Sequence, residues 1–95
     1  MDKEEARSVL REHLRTHRAR SYADLTANIG NAGCVEVTGP SGLKYQIEVD
    51  VLWDHKPGGN IGVMAGIDDG TFRAALSPLI DSFIKAPDGT FVDED

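Results

Sequence analysis

Cysteine is almost absent from this sequence: Cys34 stands alone among 95 residues, which excludes a disulfide within the chain and fits a reducing compartment. Long apolar runs are missing as well. No uncharged stretch exceeds Pro57 to Ile67, which is rich in glycine and far too short to span a bilayer. The opening residues Met1-Asp2-Lys3-Glu4-Glu5 carry acids where a secretory signal carries bases, and no apolar segment follows them. The expectation is a cytoplasmic protein with no membrane association. Internal repeats and low-complexity segments are also lacking.

Basic residues are scarce beyond the first helix. Residues 1–20 hold six Lys/Arg against four Asp/Glu, a net of +2. The remaining 75 hold four against twelve, a net of −8, which together give the formal charge of −6. An acidic body repels the phosphate backbone, so no nucleic-acid partner is expected. A basic protein partner is the more natural electrostatic match. At this length the chain is expected to form a single domain over 1–95 with one modest core and no cofactor.

What is present is patterned. Residues 2–19 read as a helix, with Asp2 and Glu5 in a D-x-x-E arrangement close to a capping box, acids in the first turn and bases in the last. Steps of about 100° per residue bring Ala6, Val9, Leu10, His13, Leu14 and His17 to one arc. Arg7, Arg11, Arg15 and Arg18 fill the adjacent arc, and Glu5 and Glu12 the far side. Ser21 to Asn28 allows a second short helix, with Ser21 and Asp24 as a capping pair and Gly30 as its stop.

Strands follow. The first is expected at Cys34 to Thr38, ending in the turn Gly39-Pro40-Ser41-Gly42. The second has the clearest signal: Tyr45, Ile47, Val49, Val51 and Trp53 alternate with Gln46, Glu48, Asp50, Leu52 and Asp54. After Lys56-Pro57-Gly58-Gly59, a third strand over Asn60 to Ile67 turns Ile61, Val63, Ala65 and Ile67 inward and Gly62, Met64 and Gly66 outward. Ser77-Pro78-Leu79-Ile80 resembles a helical turn opened by proline. Pro87-Asp88-Gly89 suggests a terminal hairpin between 82–85 and 90–92, with a helix over 77–85 as the alternative. Residues 92–95 form an acidic tail expected to fray.

The resulting fold class is α+β: an N-terminal helix, with a second short one allowed, on one face of a three- to four-stranded antiparallel meander. Trp53 and the other inward residues of the second strand are the expected floor for Val9, Leu10 and Leu14.

Chemistry-bearing motifs are thin. His13 and His17 have a spacing that can hold a metal, but Leu14 replaces the Glu of H-E-x-x-H, and no further ligands are placed to complete a shell, so neither metal nor cofactor is expected. Asp54, His55, Asp68 and Asp69 are separated by the hairpin, which sets Asp68 opposite about residue 46. Cys34 lacks a flanking nucleophile motif, and the glycine clusters fit no phosphate-binding loop. With no nucleophile, base and oxyanion donors assembled, an enzyme is not expected.

Two surfaces stand out. The arginine ridge, Arg7, Arg11, Arg15 and Arg18, sets like charges side by side and suits docking of an acidic segment, such as another copy's tail. The outer sheet face, with Met64 between glycines, Leu52 alongside and Glu48 and Asp50 at the rim, suits a partner or a second copy. The run Asp81 to Val92 resembles closing hairpins of small bacterial domains, including some immunity proteins of toxin systems. The expectation is a small acidic, non-enzymatic protein-interaction domain, regulatory or immunity-like. The alternatives are a small-molecule-binding or structural homo-oligomer using the outer face, and an enzyme with an unrecognised site.

Overall fold

The computed structural model describes residues 2–71 and 78–94. Helix α1 spans Lys3–Arg18 and begins as the sequence indicates: the Asp2 carboxylate accepts a 3.1 Å hydrogen bond from Glu5 N, and Asp2 O receives Ala6 N at 2.9 Å. Its apolar stripe buries Ala6, Val9, Leu10 and Leu14, with His13 and His17 half-buried beside them. Helix α2, Tyr22–Ala27, is capped by Ser21, whose hydroxyl accepts from Asp24 N at 3.1 Å. It contributes Leu25 to the core and ties Tyr22 Oη to Gly59 O at 2.8 Å.

Four strands follow in a meander: β1 Ala32–Thr38, β2 Lys44–Trp53, β3 Ile61–Asp68 and β4 Leu79–Lys85, in the order β1-β2-β3-β4, every neighbour antiparallel. Period two in β2 holds from Lys44 to Leu52, with Tyr45, Ile47, Val49 and Val51 buried and the residues between them exposed. Both helices cover one face only. The core lies between α1, α2 and the inner residues of β2 and β3, closed by Phe83 from β4.

The turns explain the register. Gly39 N donates to Leu43 O at 2.8 Å and Gly42 N to Gly39 O at 2.9 Å, around Pro40. Ala86 N donates to Thr90 O at 2.8 Å and Gly89 N to Ala86 O at 2.9 Å, around Pro87. Gly42 and Gly89 carry φ of 90° and 88°, a left-handed conformation open to glycine and strained for most other residues. Proline two residues earlier presets the turn.

The chain departs from the sequence expectations in three places. Leu79 and Ile80 open strand β4 rather than a helical turn, and the helix alternative for 77–85 gives way to a strand over Leu79–Lys85 (Ser77 lies outside the described residues). Pairing of Leu79 with Ile67 and of Phe83 with Val63 buries apolar surface that a lone proline-started turn would leave wet. Secondly, α1 packs on β3 and β4 rather than on the centre of β2, and Trp53 is only half-buried, against the margin of the core. Thirdly, Glu5 does not lie on a solvent side of α1. Its carboxylate accepts from Ser41 N at 2.9 Å, Ser41 Oγ at 2.7 Å and Tyr45 Oη at 2.8 Å, fastening the start of the helix to the β1–β2 turn.

Val92 and Glu94 of the acidic tail, and Phe91 just before it, make contacts with the rest of the chain (residue 95 lies outside the described residues). Val92 N donates to Ile84 O at 2.8 Å, Phe91 bridges to Lys85, and Glu94 pairs with Arg18. No helix among the described residues is long and apolar enough to cross a membrane.

Candidate interaction surfaces

The outer sheet face is assembled by register. Leu52 stands opposite Gly62 and Gly62 opposite Ile84; Asp50 opposite Met64 and Met64 opposite Ser82; Glu48 opposite Gly66 and Gly66 opposite Ile80. All the residues that the sequence assigns to this face, Glu48, Asp50 and Met64 included, therefore share it. Neither helix covers it. Leu52, Met64 and Ile80 remain 48%, 46% and 63% exposed, and the terminal hairpin extends the sheet edge instead of shielding Met64. Glu36, Glu48 and Asp50 place carboxylates on the β1–β2 half, with Lys44 3.9 Å from Glu36, while the β3–β4 half carries Met64, Ile80 and Ile84 with Ser82 among them and Asp68 at its end.

The arginine ridge is divided by its contacts. Arg15 meets Glu12 at 3.3 Å, an exposed pair of small net value. Arg18 donates to both Glu94 oxygens at 2.9 and 2.5 Å, with its guanidinium 4.0 Å above the Phe91 ring and 5.4 Å from that of Phe83. Those bonds raise the Arg18 pKa and hold the Glu94 carboxyl below its ordinary value. The acidic segment that docks on this arginine is thus the chain's own tail. Arg7 and Arg11 have no ion pair among the described residues, and Arg11, Arg15 and Arg18 border a depression of about 300 Å³ with Asp81 and Phe83. Below it Lys85, 7% exposed, donates to Arg18 O at 3.2 Å and Arg20 O at 2.6 Å, giving carbonyls at the end of α1 a charged donor that sequence reasoning did not anticipate.

The histidines stack edge to face, with ring centroids 5.1 Å apart and Nε2 atoms 3.3 Å apart. His17 Nδ1 is buried without a hydrogen-bond partner in the described structure. Burial lowers the His17 pKa, helped by His13 and Arg20. The pair supplies two nitrogen ligands, and no group of three or more His, Cys, Asp or Glu suited to a metal occurs among the described residues. Asp68 stands opposite Gln46, at the far end of β2 from Asp54, whose carboxylate is 3.5 Å from His55. The acidic and histidine residues of these two clusters are therefore not brought together. Cys34 is exposed on the outer face of β1, beside Glu48.

A further surface was not legible in the sequence. Because α1 lies over β3 and β4, a groove opens between the helix and β1. Its widest part, about 680 Å³, is lined by Glu4, Val9, Glu12, His13, Val37 and Pro40 among others. It continues through a 240 Å³ section at His13, His17 and Val35 and a 280 Å³ section at His17 and Gly33. The only hint in the sequence is that β1 offers few large inward residues: Gly33, Val35 and Val37.

Comparison with protein-family models, with curated proteins and with solved structures finds no match to this chain.

Proposed function

We propose that this chain is a non-enzymatic protein-interaction domain that uses its uncovered sheet face to hold a basic partner. The observation that carries the reading is the juxtaposition on one sheet face of exposed Leu52, Met64 and Ile80 with the carboxylates of Glu48 and Asp50, beside the Glu36–Lys44 pair. Apolar side chains left in water on this scale mark contact sites more often than solvated surface. Met64 between Gly62 and Gly66 gives a pliable anchor that a partner's backbone can approach closely. The acidic rim selects lysine or arginine around an apolar knob. A regulatory or immunity-like role is one form this binding takes.

Affinity capture from the cells that make the protein tests this, with wild type and Met64→Arg compared at low and high salt. A protein retained by wild type, released by salt and lost with the folded Met64→Arg variant supports the reading. The same proteins retained by both would remove this face from the account. A second reading, self-association through the same face, is favoured by the breadth of its apolar part. It predicts a concentration-dependent mass in sedimentation that Met64→Arg abolishes.

A further inference from the structure

The groove between α1 and β1 lies on the opposite face of the sheet from Met64, and two independent features meet along it. One is an open strand edge. Gly39 N bonds to Leu43 O, and alternation from that pair directs the N–H groups of Val37, Val35 and Gly33 toward β2. Those of Glu36 and Cys34 consequently face outward. Apart from Val37, β1 is exposed along its whole length, and no described segment lies against its free edge. It carries neither proline nor an inward charge, the usual guards of an exposed edge.

The other feature is the groove's chemistry. Val9, Val35, Val37 and Val49 supply an apolar floor continuous with the core. The carboxylates on its widest part are those of Glu4, Glu5 and Glu12, with no lysine or arginine beside them, and Arg20 borders only the far section at His17 and Gly33. Glu5 is engaged by Ser41 and Tyr45 and Glu12 by Arg15, with Glu4 beside them at the rim. Arg11, Arg15 and Arg18 border the separate depression at Asp81 and Phe83, with Arg15 reaching back to Glu12. Helix and strand run alongside each other, Val37 and Pro40 near the first turns of α1 and Gly33 near His17, so the groove follows the open edge from end to end.

We propose that β1 binds an extended segment of another protein as a fifth strand, its apolar side chains entering the α1–β1 groove and the lysines or arginines between them turning to the outer sheet face, where Glu36 and, one strand further in, Glu48 meet them. Charge decides against a second copy of this chain as occupant. The formal charge is −6, and edge-to-edge pairing of two β1 strands would bring two Glu36 carboxylates to one seam with no cation beyond the Lys44 that each already has 3.9 Å away. Main-chain bonds to the Glu36 and Cys34 edge supply affinity, and the groove reads alternate side chains.

The test uses a labelled, end-blocked peptide, Lys-Val-Lys-Val-Lys-Val-Lys, with a Glu-Val peptide of equal length as control. Fluorescence anisotropy reads affinity, and hydrogen exchange by NMR reads the amides of Cys34 and Glu36. The expected result is saturable binding of the Lys-Val peptide, slowed exchange at both amides and at least tenfold weaker binding of the Glu-Val peptide. Glu36→Pro, which removes one outward donor, and the double variant Glu36→Lys/Glu48→Lys should each weaken binding tenfold or more, with folding checked by circular dichroism. Met64→Arg should leave it unchanged, which separates this site from the apolar part of the outer face. Absence of binding below millimolar peptide would overturn the proposal. Equal binding of the two peptides, or indifference to both the Glu36→Pro and the double variant, would do the same. A chain that dimerises alone and loses the dimer with Glu36→Pro would assign the edge to a second copy instead.

Discussion

Gly39 is the position where a single methyl group should reveal how α1 is fastened to the sheet. A Cβ built there would stand 2.8 Å from Glu5 Oε1, 2.9 Å from Glu5 Cδ and 3.0 Å from Tyr45 Cε2. The first two atoms end a flexible side chain, but that side chain is held by Ser41 and Tyr45, and the third belongs to a buried ring. Gly39→Ala must therefore push Glu5 away from three donors or displace Tyr45 within the core. Such overpacking costs about 1–3 kcal/mol. Against it stands a gain of about 0.4–1 kcal/mol, because alanine restricts the unfolded chain. The net expectation is destabilisation by about 1–2 kcal/mol. Gly33→Ala is the matched control: nothing lies within 4 Å of its built Cβ and its φ is not positive, so it should be neutral or slightly stabilising. Urea denaturation followed by circular dichroism decides between them. Equal stability of the two variants would refute the claim that Glu5 clamps the β1–β2 turn.

The other predictions concern the core, the end of α1 and pH. Leu10→Ala, at a position 1% exposed, should cost about 2–5 kcal/mol in the same urea assay. Lys85→Met trades charged hydrogen bonds to Arg18 O and Arg20 O for relief of burying an ammonium, and a loss of about 1–3 kcal/mol is expected; a variant as stable as wild type would mean that desolvation dominates. Hydrogen bonds from Ser41 and Tyr45 lower the Glu5 pKa, so its contribution is present above pH 4.5 and lost as pH falls below it. Burial and Glu5 push the Tyr45 hydroxyl up to about 12, so its contribution holds below pH 10 and is lost as pH rises through 12. Glu5→Gln should flatten the Glu5 acid limb and weaken the Tyr45 alkaline one in thermal melts. The lowered His17 pKa makes stability decline as pH drops below 6.5, and His17→Leu should remove that decline.

The parts of the fold legible in the sequence are those set by local chemistry. Alternation in β2, the Asp2 and Ser21 caps, and the Pro-x-Gly turns act over a few residues, and together they also fix which side chains share the outer face. Asp68 falls opposite Gln46 because the turn after Trp53 leaves the strands no other register. Pro78 misled because proline opens helices and precedes edge strands alike. The inward set Leu79, Asp81, Phe83 and Lys85 mixes apolar with charged residues and so hides its period. The lateral position of α1 was not legible at all, since an apolar helical stripe packs equally well on any strand of a half-apolar sheet.

That position is decided by three contacts between residues far apart in sequence. Lys85 and the Arg18–Phe91–Glu94 cluster hold the end of α1 toward β4, while Glu5 holds its start at the β1–β2 turn. For α1 to roll onto β1 and close the groove, Lys85 would surrender both carbonyls inside the protein and Arg18 its aromatic stack. A buried ammonium left without partners is among the costliest defects a small domain can carry. The same contacts that place Leu10 and Leu14 in the core therefore keep Val35 and Val37 accessible. The opening along β1 is thus a preformed feature of the fold, ready to accept an extended chain without rearrangement of the helix.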